Sequence, residues 1–109
     1  MISSRDRRAR LFQMEEARRQ TQHQLDLIDR HIMRRMTAVI PALKPKHAAY
    51  RRGKPPDPSA FLKRYRSTLA AITAERQPEI DVLSRKLARQ DQAIAALRER
   101  ASSLTDLAA

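Results

Sequence analysis

Residues 41–58 read PALKPKHAAYRRGKPPDP, and this stretch decides the fold. It holds every proline of the chain except Pro78, together with the single glycine, Gly53. Residues 1–40 and 59–77 contain neither. Proline cannot donate to a helix and disfavours helical geometry in the residue before it, so Pro41 and then Pro45 should stop any helix arriving from the N-terminal side. Gly53, Pro55 and Pro56 extend the break. A new helix is signalled where the break ends, since Asp57 suits the N-cap and Pro58 the first helical position.

Outward from the break lie two arms with the periodicity of helices. In the first, Leu11, Met14, Leu25, Ile28, Ile32, Met36, Val39 and Leu43 recur at steps of three and four, apart from one gap where Arg18 and Thr21 occupy the stripe. That spacing describes a coiled-coil seam rather than a broad globular face. Ser3-Ser4-Arg5-Asp6 places a serine three residues before a carboxylate and reads as a capping-box-like start. In the second arm the stripe is Leu62, Tyr65, Leu69, Ile72, Ile80, Leu83, Leu87, Ile94, Leu97, Ala101 and Leu104. It slips by one residue at Pro78, with only Arg76 bridging Ile72 and Ile80, which predicts a kink. A break into a third helix at Pro78 is the alternative, with Glu79 and Asp81 placed in its first turn.

The expected fold is therefore all-α: one domain over residues 1–109, a long antiparallel helical hairpin of coiled-coil type. Its helices should cover about residues 4–40 and 58–104, joined by a basic, proline-rich loop over 41–57. Two helices sharing one seam bury little apolar surface, so self-association or a helical partner protein is expected.

Composition narrows the function. One glycine cannot build the glycine-rich loops that cradle phosphates or dinucleotides. No cysteine is present, which excludes disulfides, thiolate nucleophiles and cysteine-ligated metal sites. His23, His31 and His47 are far apart, and Glu15-Glu16 or Asp26 with Asp29 would sit on exposed helix without a pocket to perturb them. No catalytic residue, metal site, cofactor or small-molecule substrate is expected, and the chain reads as a non-enzyme. No apolar run is long enough for a membrane span and no signal-peptide pattern opens the chain, so a cytoplasmic location is expected.

The charge is the remaining signal. The chain carries 23 Lys+Arg against 12 Asp+Glu, a net charge of +11. Residues 44–66 hold eight basic side chains and one acidic, Asp57, together with three of the four aromatics. Arg51, Arg52, Lys54, Lys63, Arg64 and Arg66 are therefore the candidate polyanion-binding residues, with Tyr50 as a stacking side chain and nucleic acid as the first partner. Tyr65 fits the seam as well as it fits stacking. Arginine outnumbers lysine 18 to 5, which favours bidentate phosphate contacts. An acidic protein surface would satisfy the same charges. A second cluster, Arg5, Arg7, Arg8 and Arg10, opens the first arm. With Arg18 and Thr21, the residues Arg5, Arg7 and Arg8 are the candidate partner-binding positions, Arg18 being suited to accept a partner's carboxylate. Other charges have local partners at i,i+4, as in Asp6–Arg10, Glu15–Arg19, Asp26–Arg30 and Asp81–Arg85.

Two further readings belong beside this one. The two-helix shape with a weak polar seam near its open end broadly resembles the basic stalk proteins of bacterial secretion ATPases. That resemblance implies an adaptor whose N-terminal arginines and C-terminal helix sit inside an acidic ring, with the tip facing other components. A dimeric four-helix-bundle regulator of plasmid or phage type would also use these stripes.

Overall fold

The computed structural model describes residues 3–44 and 57–108, with side chains as far as Leu104. Two helices make up the described chain: α1, Ser4–Leu43, and α2, Pro58–Ala108. The protein is an all-α helical hairpin. Among the described residues no helix is long and apolar enough to cross a membrane.

Both helix starts follow the sequence signals. Ser3 caps α1: its Oγ accepts from the Asp6 amide at 3.1 Å and its carbonyl from the Arg7 amide at 3.0 Å. Asp57 caps α2 by accepting from the Ser59 amide at 3.0 Å and from the Ser59 hydroxyl. These bonds favour the ionised carboxylate and hold its pKa below the ordinary range.

The helix ends depart from expectation. α1 continues through Pro41 to Leu43 instead of stopping at residue 40. A proline in the last turn forfeits one hydrogen bond with little helix left to disturb, and the helix closes with the Lys44 amide bonded to the Ile40 carbonyl at 3.3 Å. α2 runs unbroken through Pro78, so no third helix begins there, and it continues past residue 104 to Ala108.

The chain forms two compact units. One comprises Met1–Asp26 with Glu79–Ala109, the other Leu27–Pro78. The second unit contains most of the core: Ile28, Ile32, Met36 and Ile72 are buried, Met36 to 1% exposure. In the first unit the buried side chains among the described residues are Ile94 and Thr21.

In α1 the buried and half-buried positions 11, 14, 18, 21, 25, 28, 32, 36, 39 and 43 alternate steps of three and four except at 28–32–36, where two fours occur in succession. In α2 the positions 65, 69, 72, 76, 80, 83, 87, 90, 94, 97 and 101 do the same except at 72–76–80. Each double step is a stutter, a four-residue insertion that locally unwinds a coiled coil. Arg35 pairs with Glu75 between the helices, so within the second unit residues 32–36 of α1 lie level with residues 72–76 of α2. The slip read at Pro78 thus has a matching slip in α1. Both helices change period together, and the proline falls where α2 departs from heptad winding.

Candidate functional site

The basic tip is described at Lys44, exposed at the end of α1, and on its α2 side. Tyr50, Arg51, Arg52 and Lys54 lie outside the described residues. Lys63 and Arg66 are exposed on the second and third turns of α2, three residues apart and therefore adjacent on its surface. The start of α2 adds the partial positive charge of a helix N-terminus to the same region.

Arg64 has a different role from its neighbours. Its Nε and Nη2 donate to the carbonyl of Leu43 at 3.3 and 3.2 Å. Leu43 ends α1, where the last carbonyls lack helical donors and carry the negative end of the helix dipole. Arg64 therefore joins the end of one helix to the start of the next, and its charge is partly answered within the chain. Tyr65 is half-buried in the seam, and its ring lies 6.3 Å from that of Phe61 at an interplanar angle of 33°. The ring therefore packs against Phe61 beside the seam.

The second candidate cluster is divided. Arg5 and Arg8 are exposed, and Arg7 is half-buried. The carboxylate expected of a partner at Arg18 is supplied by the chain itself, because the Arg18 guanidinium donates to Asp91 of α2. That bond raises the arginine pKa further above its ordinary value. Thr21 is 2% exposed, and its hydroxyl donates back to the Ala17 carbonyl at 3.2 Å, so no hydroxyl is presented to a partner. Gln90, half-buried in the α2 seam, completes this polar stretch with a buried Oε1 that has no hydrogen-bond partner among the described residues. The gap in the first arm is thus one side of a polar layer whose other side is Gln90 and Asp91. In the sequence Gln90 shows only as the missing member of the stripe between Leu87 and Ile94, and an antiparallel register has to be known before Arg18 can be set against Asp91.

Local charge pairing is also redistributed. Glu15 accepts from Arg98 across the helices rather than from Arg19. Arg19 instead pairs with Glu16 at 2.6 Å and lies over the Phe12 ring, 6.0 Å from its centroid. Asp26 accepts from Gln22 at 3.1 Å rather than from Arg30. Glu15 points toward α2 because it is half-buried beside the seam, which puts it within reach of an arginine on the opposite helix. The Glu16 and Glu75 carboxyls are held below the ordinary carboxylate range, chiefly by hydrogen bonds from Arg19 and Arg35 respectively.

Among the described residues no group of three or more histidine, aspartate or glutamate side chains is placed to hold a metal ion. Compared with protein-family models, with curated proteins and with solved structures, the chain matches none.

Proposed function

We propose that the protein is a non-enzymatic helical interaction module that contacts a polyanion, nucleic acid first, through its basic tip. The observation that carries this reading is the charge imbalance of residues 44–66, eight basic side chains against Asp57 alone. Lys63 and Arg66 fit it: both are exposed and neither has an ion pair with another described residue. Elsewhere four arginines, Arg18, Arg35, Arg98 and Arg19, are held by Asp91, Glu75, Glu15 and Glu16. A phosphate backbone supplies the missing anions, and without a base-reading element such as a recognition helix the binding should be tolerant of sequence.

The test is fluorescence anisotropy with labelled single-stranded RNA and duplex DNA at physiological salt, about 0.15 M. Wild type is compared with a variant carrying Arg51→Glu, Arg52→Glu, Lys63→Glu and Arg66→Glu. Arg64 is left in place because its loss would also uncap α1. The expected result is micromolar or tighter binding by wild type, lost in the variant, with a salt slope of about −0.9 per phosphate contacted on duplex DNA. No binding by wild type, or equal binding by the variant at equal helicity, refutes the reading.

A further inference from the structure

A second surface lies in the unit built from both chain ends. A groove runs beside the seam there, floored by Met14, Ala93, Ala96 and Leu97 and banked by Arg10 on α1 and Arg100 on α2. It continues along α2 past Ser103 to the exposed Leu104. From Ala93 to Leu104 it is about 16 Å long at ~1.5 Å per residue, room for three turns of an incoming helix. Ala93, Ala96 and Ser103 present little side-chain bulk, so a helix backbone can approach α2 closely, and Leu97, Leu104 and Met14 offer it apolar contact.

Charge selects the occupant. Neither Arg10 nor Arg100 has an ion pair with another described residue, and Glu99 is the only carboxylate among the described residues lining the groove. On the other side of the seam Arg7 and Arg8 line a second groove, where Arg98 is already engaged by Glu15. A second copy docking by two-fold symmetry would set this same arginine-banked patch against itself. A polynucleotide would meet the arginines but leave the apolar floor uncovered. We propose that the groove takes an acidic amphipathic helix of a partner protein, its apolar face on Ala96 and Leu97 and its carboxylates between Arg10 and Arg100. This surface is separate from the tip and does not depend on the tip binding anything.

The experiment uses the full chain and three labelled synthetic peptides of equal length. One carries leucine at i, i+3, i+7 and i+10 flanked by glutamate, the second has lysine in place of glutamate, and the third is polyglutamate. The acidic amphipathic peptide is expected to bind at least tenfold more tightly than either of the others. Ala96→Trp, which fills the groove from an exposed position, and Arg10→Glu with Arg100→Glu should each weaken it at least tenfold at unchanged helicity. Equal binding by polyglutamate, or binding that survives Ala96→Trp, overturns the proposal. Displacement of the peptide by duplex DNA from the variant that lacks the tip charges gives the groove to a polyanion and also overturns it. A light-scattering mass near twice 12.6 kDa that Ala96→Trp returns to monomer gives it to a second copy, with the same consequence.

Discussion

Replacing Gln90 with leucine should stabilise the protein. The Gln90 Oε1 is buried without a hydrogen-bond partner among the described residues, and an unsatisfied buried acceptor costs about 1–3 kcal/mol. Leucine removes that acceptor and adds apolar contact in the seam between Leu87 and Ile94. The Thr21 hydroxyl is satisfied within its own helix by the Ala17 carbonyl, so Thr21→Val alone should change stability by less than about 1 kcal/mol. Gln90→Leu is therefore expected to gain about 1–3 kcal/mol, a rise of about 4–8 °C in Tm per kcal/mol for a domain of this size. Thermal and urea melts followed by circular dichroism measure both variants. A Gln90→Leu protein that melts at or below the wild-type temperature refutes the reasoning, because the amide would then be contributing rather than costing. A single polar seam layer can also hold register and oligomeric state at a cost in stability. Light scattering on the Thr21→Val, Gln90→Leu double variant tests that role: a mass that rises above the wild-type value shows that the layer restrains association.

Four further outcomes follow from the packing and the charges. Met36→Ala empties the most completely buried apolar position and should cost about 2–5 kcal/mol, read as a lower urea midpoint. Pro78→Ala restores a helical donor inside α2 and should gain up to about 3 kcal/mol in the same melts; a loss would mean that the proline shapes the stutter. Arg64→Ala removes both hydrogen bonds to the Leu43 carbonyl and should cost about 0.3–1 kcal/mol, with amide exchange accelerated in the last turn of α1. Glu16, Asp57 and Glu75 ionise more readily in the folded chain than in the unfolded one. Their contribution is therefore complete above the ordinary carboxylate pKa and is lost as pH falls through the lowered folded value. Tm should drop between about pH 5 and pH 3, and Glu75→Gln should flatten part of that drop; an acid-insensitive Tm would contradict the pairing.

The two arms, their caps and most of the seam were legible in the chain because each is a local matter. Ser3 and Asp57 bond within their own first turns, and the stripe from Ile28 to Met36 needs only helical periodicity. Pro41 signals a stop, but its penalty falls on a last turn that tolerates it. The cross-helix ion pairs were not legible. Glu15 has both Arg19 and Arg98 available, and only the antiparallel register shows that the second is reached. The same holds for Arg18, whose charge looks unanswered until Asp91 is placed beside it, and for Arg64, which reads as one more tip cation until the α1 terminus is beside it. The stutter at Ile80 was visible as a slip in spacing, whereas its counterpart at Met36 passed for ordinary continuity because every step around it is filled by an apolar side chain.

The bond from Arg64 to Leu43 bears on how the segment between the helices can vary. Because the two helix ends are already tied together, the entropy of closing that segment rises only slowly with its length, by about 0.6 kcal/mol per doubling. Sequence between Lys44 and Asp57 can then be lengthened, shortened or exchanged without renegotiating the seam, provided Asp57 and Arg64 are kept. The hairpin is in that sense a holder whose connecting segment and paired helices can change independently of one another.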